Sequence, residues 1–282
     1  MTFDIQSYQR HGGRLQLDGM DFDDFRDEPL SPAAIQCLQY MHDVEFHTAC
    51  YLRNLLNTKA HHDPELTGFL AIWNYEELWH GEALAAVLAH HDLPGGTERV
   101  ASMRRRLGWR LTASPLGWMA MSAAIPHFIA VHMTIGAVNE WTTQAAYSRL
   151  ATVAGHPTLT ALLKRIMRQE GRHIDYYASH AKSELSQSKV ARKVTRGLLN
   201  TVWQPVGATV MPKSEMASLA QTLFTGPDGQ AALDRIDHRV SHLPGMEGLR
   251  IAADAVAGYT VPLTAQAPHR PAATGARVPV GV

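Results

Sequence analysis

Two Glu-x-x-His pairs, each preceded by a lone glutamate on an otherwise apolar helical stripe, constrain this chain more than any other feature. In chain order they read Glu45, Glu77-Leu-Trp-His80, Glu140, Glu170-Gly-Arg-His173. A Glu and a His three residues apart project from one helical face, so a single helix can aim a carboxylate and an imidazole at the same point. Either pair alone is weak in a chain with sixteen histidines, because short spacings arise by chance. The order discriminates: Glu45 to Glu77 is 32 residues and Glu140 to Glu170 is 30, as a paired two-helix repeat would produce. Four carboxylates converging in an apolar interior would repel one another and lose hydration at a cost of several kcal/mol each. Two divalent cations would compensate that cost. Mixed carboxylate and imidazole ligation suits iron first and manganese next, rather than structural zinc.

The apolar period supports four long helices. Ser31 followed by Pro32 reads as an N-cap with proline in the first turn, and Leu38, Met41, Glu45, Ala49 and Leu52 then share a stripe. A second helix over 65–90 puts Leu70, Trp73, Glu77, His80, Leu84 and Val87 on one face before DLPGG ends it. A third over roughly 117–153 contains Glu140, and Pro126 predicts a kink or a break in it. The fourth, over 157–184, aligns Leu162, Ile166, Glu170, His173 and Tyr177. KVARKVTRGLLNTVW, KSEMASLAQTLF and GQAALDRIDHRV read as shorter amphipathic helices. The expected fold is all-α, a four-helix bundle with additional C-terminal helices. Its parts are an N-terminal extension over 1–30, a domain over 31–258 (core bundle 31–184, C-terminal helices 187–258) and a disordered tail over 259–282.

Charge and composition exclude several function classes. Lys plus Arg equals Asp plus Glu at 26 each, so no global field points to nucleic acid or to an anionic membrane, and any partner must be recognised by a local patch. Residues 114–138 are long enough to span a bilayer, but Pro126, His127 and His132 within them suit a central helix of a bundle better than a lipid-facing one. Cys37 and Cys50 lie on different turns of one helix, which makes a mutual disulfide implausible. The N-terminus lacks the basic start and apolar run of a signal peptide. A reducing, cytoplasmic setting is the expectation.

With these residues in place, the chain resembles the ferritin-like di-iron carboxylate superfamily, and within it most closely the soluble acyl-carrier-protein desaturases. The similarity runs over about residues 31–258 and is specific around YEELWHGEAL, AVNEWTTQAAY and RQEGRHIDYYASH. The resemblance implies a ferritin-like bundle holding two iron ions, with Glu45 and Glu140 as terminal ligands, Glu77 and Glu170 as bridging ones, and His80 and His173 serving one iron each. Thr143, three residues after Glu140, matches a threonine that lines the oxygen pocket and assists proton delivery; a hydroxyl bonded back to its own helix is the plainer alternative. The implied partners are O2, a ferredoxin-like electron donor, an acyl carrier protein and a second copy in a homodimer. The implied reaction is O2-dependent oxidation of an unactivated C–H of an acyl chain. Hydroxylation or N-oxygenation of a small or carrier-bound metabolite would use the same ligands, and a non-catalytic metal- or lipid-binding protein is the rival of another class. The chain departs from the family pattern at Gln169, where an acid is usual, and at Trp79, where an Arg is usual.

His42 and His132 fall near the same stripes as extra ligands or as hydrogen-bonded core residues. His127, His180, Tyr147 and Tyr177 could line a cavity, and Gly136, one turn before Glu140, could make room for a substrate or allow close helix packing. Arg104, Arg105, Arg106 and Arg110, and separately Lys189, Arg192, Lys193 and Arg196, form basic clusters that read either as docking patches or as solvated helix faces.

Overall fold

A computed structural model of the chain describes residues 3–260. Among these there are twelve α-helices, one 3-10 turn at Lys59–His62 and no strand. The tail from 261 onward lies outside the described residues, and its first two expected positions, 259 and 260, end a helix instead.

Four long helices form the core: α3 (Pro32–Leu56), α4 (Pro64–Ala89), α7 (Phe128–Ala154) and α8 (Pro157–Gln187). The Ser31 hydroxyl accepts from the Ala34 N–H at 3.2 Å and Pro32 follows it, the capping pattern that the sequence suggests. Asp63 does the same for α4, accepting from the N–H groups of Glu65 and Leu66. Short connections fold α3 against α4 and α7 against α8, and α3 touches α7 while α4 touches α8, so the order around the bundle is α3, α4, α8, α7.

Passing from α4 to α7 takes a long crossover, α5 (Gly96–Leu107) and α6 (Trp109–Ala124). Gly108 joins them at φ 53°, ψ −133°, a region essentially closed to residues with a Cβ. The third helix expected over 117–153 is therefore two. Ile125, which precedes Pro126, is extended at φ −86°, ψ 117°, and His127 turns the chain in the left-handed region at φ 55° before α7 starts. Pro115 sits inside α6 and leaves the Leu111 carbonyl without its helical N–H donor. The Arg53 guanidinium supplies a replacement at 2.8 Å, which ties α6 to α3.

The C-terminal helices α9 (Lys189–Val202), α10 (Lys213–Phe224), α11 (Gly226–Ser241) and α12 (Ile251–Thr260) pack on the side of the bundle formed by α3 and α7. No sequence signal marked α12; Asp237 of α11 starts it by accepting from the N–H groups of Ala252 and Ala253 at 2.8 and 3.1 Å. At the other end, α1 (Ile5–His11) packs on α4 and places Tyr8 in the core, while α2 (Asp24–Asp27) buries Phe25. No helix among the described residues is long and apolar enough to cross a membrane.

Candidate metal centre

The six residues singled out by spacing meet at the middle of the bundle. Glu45 comes from α3, Glu77 and His80 from α4, Glu140 from α7, and Glu170 and His173 from α8; all are buried. They form two overlapping donor groups, Glu45, Glu77, His80 and Glu170 in one and Glu77, Glu140, Glu170 and His173 in the other, with one ligand atom of each residue within 4.8 Å of the rest of its group. Glu77 and Glu170 belong to both.

The imidazoles turn their Nδ1 atoms inward. His173 Nδ1 lies 3.0 Å from Glu170 and 3.1 Å from Glu77, and His80 Nδ1 lies 3.3 Å from Glu170. Yet Glu45 Oε2, Glu77 Oε1, Glu170 Oε1 and His80 Nδ1 are buried without a hydrogen-bond partner among the described residues. Lone pairs that converge without aligning on one another are costly unless a cation lies between them. The residues present thus fit a pair of divalent cations.

Outward of the cluster, each imidazole is oriented through Nε2 by the residue just before the shared glutamate of the opposite pair. His173 Nε2 faces Glu76 at 2.8 Å, and His80 Nε2 faces Gln169 at 2.9 Å. Glu76 is wholly buried and also accepts from Tyr8, the Gly13 N–H, Gln169 and Arg172 at 2.8, 3.0, 3.3 and 2.6 Å. A donor to each unshared carboxylate completes the arrangement: the Trp73 indole N–H to Glu140 at 3.0 Å, and the Tyr147 hydroxyl to Glu45. Orienting groups of this kind fix the ring and raise ligand basicity.

Electrostatics record the strain of this cluster. Burial, reinforced by neighbouring carboxylates, pushes Glu77 and Glu140 well above the usual carboxylate range. Burial pushes Glu170 the same way, but hydrogen bonds from His173 and His80 outweigh it and hold the group low. For His173 burial acts downward and is overcome by Tyr8, Glu170, Glu76 and Glu77, so the imidazole is held well above its ordinary range. Without cations, protons shared among acids and imidazoles are what keep the cluster near neutrality.

A cavity of about 630 Å3 opens against Glu45, Glu77 and Glu140. It is bounded by α3 and α7 on one side and by α6, the loop after α9 and α10 on the other, with Tyr51, Trp118, Ile135, Trp203 and Leu219 in its largely apolar wall. Thr143 lines it, and its hydroxyl makes no hydrogen bond among the described residues. It is the neighbouring Thr142 that bonds back to its helix, through the Val138 carbonyl at 2.8 Å.

Other expected positions resolve differently. His42 is a satisfied core residue, paired with Asp43 at 2.9 Å and accepting the Gly96 N–H at 2.8 Å. His132 is buried against Tyr51, with a hydroxyl contact at 3.2 Å, and burial lowers its pKa to about 4. His127 is exposed at the start of α7 and His180 pairs with Glu65 at 3.3 Å, so neither reaches the cavity. Tyr147 and Tyr177 do line it. Gly136 borders it too, but a Cβ there would run into the Tyr177 ring, so close packing of α7 on α8 is what requires the glycine. Cys37 and Cys50 are free thiols. Glu76, Trp73 and Tyr8 went unnoticed in the sequence as functional residues; the one available signal was that Glu76 precedes Glu77 just as Gln169 precedes Glu170. No family model, curated protein or solved structure matches the chain.

Proposed function

We propose that this chain is a di-iron oxidoreductase with a ferritin-like bundle, related to the soluble acyl-carrier-protein desaturases, and that it oxidises an unactivated C–H of an acyl chain with O2. The observation that carries the reading is that Glu77 and Glu170 each serve both donor groups. Two metals held there would share those two carboxylates, with Glu45 and His80 completing the donors of one and Glu140 and His173 those of the other. Bound iron would supply the O2-dependent redox chemistry that side chains cannot.

The protein's own part is orientation, exclusion of water and proton handling. Glu76 and Gln169 face the Nε2 atoms of the imidazoles, which would leave each Nδ1 lone pair for a metal once its proton is displaced. The apolar wall accepts a hydrocarbon chain against the carboxylates and keeps bulk water from them. Thr143, with its hydroxyl uncommitted on that wall, would pass a proton toward the centre. His47, Asn54, Asn139 and Arg110 also face the cavity. They favour, as a second reading, hydroxylation or N-oxygenation of a metabolite with polar substituents.

Metal analysis and O2 uptake test the proposal together. Protein loaded anaerobically with Fe(II) should hold about two irons per chain, react with O2 on exposure, and sustain O2 consumption only when a ferredoxin-type donor returns the iron to Fe(II), with Glu77→Ala abolishing all three. Less than about one metal per chain after reconstitution would refute the metal centre. Full loading with spectra unchanged by O2 would instead make this a metal-holding protein without turnover.

A further inference from the structure

The helix that roofs the cavity is apolar on both sides. Trp118 and Met121 line the cavity from α6, Trp118 meeting Tyr51 edge to face at a centroid distance of 5.3 Å. On the same helix Trp109 is 78% exposed, Leu116 68% and Met119 47%. At 100° per residue these three lie on one flank of α6. Soluble surfaces scatter such residues singly, and a contiguous group marks something that covers it.

Charge identifies the cover. Between Glu98 and Glu140 the sequence contains no acid, while it contains Arg99, Arg104, Arg105, Arg106 and Arg110. Arg99 pairs with Asp43 at 2.8 Å and Arg104 is committed to the Phe46 carbonyl. Arg105, Arg106 and Arg110 are exposed and meet no acid among the described residues. They adjoin Trp109 at the start of α6, whose N-terminus has no side-chain cap. In a chain of zero formal net charge, this is a local cationic and apolar surface.

We propose that α5 and α6 dock the protein on an anionic lipid membrane, lying in its surface without crossing it. Trp109, Leu116 and Met119 enter the acyl boundary, and Arg105, Arg106 and Arg110 meet the headgroup phosphates. A second copy pairing through α6 would bury the same apolar flank but bring no acid from this stretch to the arginines; an anionic bilayer satisfies both. Arg110 is exposed and also lines the cavity, so the cavity reaches the surface where the membrane would sit. A lipid acyl chain then has a direct path to the centre, a consequence that rests on the proposed function, whereas the docking itself does not.

Vesicle flotation of the full chain tests the docking. It should float with phosphatidylcholine vesicles containing one part in four phosphatidylglycerol, float poorly with phosphatidylcholine alone, and be released by high salt. Trp109→Ser with Leu116→Ser, and separately Arg105→Glu with Arg106→Glu, should each lower partitioning at least about tenfold. Both pairs are exposed, and an unchanged circular dichroism melt would show that the fold is retained. No flotation with anionic vesicles, or equal flotation of the variants, would overturn the proposal. A stable dimer that Trp109→Ser with Leu116→Ser splits would overturn it in favour of a second copy. Capture by an acidic acyl carrier protein without flotation would overturn it in favour of a protein partner. Metal-free Glu77→Ala protein should float like the parent, which separates this test from that of the metal centre.

Discussion

Gln169 occupies the place that Glu76 holds in the other pair, and its surroundings explain the amide. Its carbonyl oxygen accepts from His80 Nε2, while its amide N–H groups donate to the Gly13 carbonyl at 2.9 Å and to Glu76 at 3.3 Å. A carboxylate in its place would face two acceptors with nothing to give. Gln169→Glu should therefore destabilise the metal-free protein by about 1–3 kcal/mol, read from chemical denaturation at neutral pH. Glu76 shows the opposite logic: five donors converge on it, and although burial pushes its pKa up, the His173 hydrogen bond and charge outweigh that and hold it below the usual carboxylate range. Glu76→Gln should weaken metal binding roughly 10- to 100-fold at the position served by His173, visible in a titration as one strong and one weakened site. The six converging residues were legible because a helix converts spacing into direction. Their supports were not, since Tyr8 and Glu76 lie 68 residues apart and Trp73 reads as an ordinary core aromatic.

The four long helices and three of the C-terminal ones follow from apolar period and caps, and apart from the start of the third long helix, which falls at 128 rather than 117, their ends lie within a few residues of the sequence reading. The crossover did not follow so well. Pro126 signalled a kink or a break, and the turn became a full break because His127 takes up the left-handed conformation there. Pro115 gave no warning because Arg53, distant in sequence, satisfies the carbonyl that it frees. The N-terminal extension carried no periodicity long enough to show that α1 would close the outer side of the centre. Close approach of elements is equally hard to see. Gly136 looked like room for a substrate but is where the Tyr177 ring of α8 presses on α7. Gly136→Ala should cost about 1–3 kcal/mol in thermal or chemical unfolding and should displace Tyr177 in the cavity wall, which a crystal structure of the variant would reveal.

Across the whole molecule, the groups of the centre held above their ordinary pKa and the histidines outside it drive stability in opposite directions as pH changes. Glu77, Glu140 and His173 have folded pKa values above their ordinary ones, so the metal-free folded chain holds more protons there than the unfolded chain does. Their contribution is complete at low pH and is lost as pH rises through the folded values. His47 and His132 behave the other way. Burial, joined at His47 by Arg104 and Arg53, pushes both down to about 4, whereas the unfolded chain protonates them near the ordinary value of about 6.5. Stability from these two is lost as pH falls through that window. The metal-free protein should therefore melt highest in the mildly acidic to neutral range and lose stability on either side. Divalent metal takes the places that protons occupy at the centre and releases them on binding. At about one hundred times its dissociation constant it should add about 2.7 kcal/mol, and the gain should grow with pH as fewer protons compete. Calorimetric melting from about pH 4 to 8.5, with and without Mn(II), would show metal-bound and metal-free curves diverging toward alkaline pH, with an acid limb to which His47 and His132 contribute in both. Curves that converge as pH rises would mean that the buried carboxylates and imidazoles are not where the metal binds.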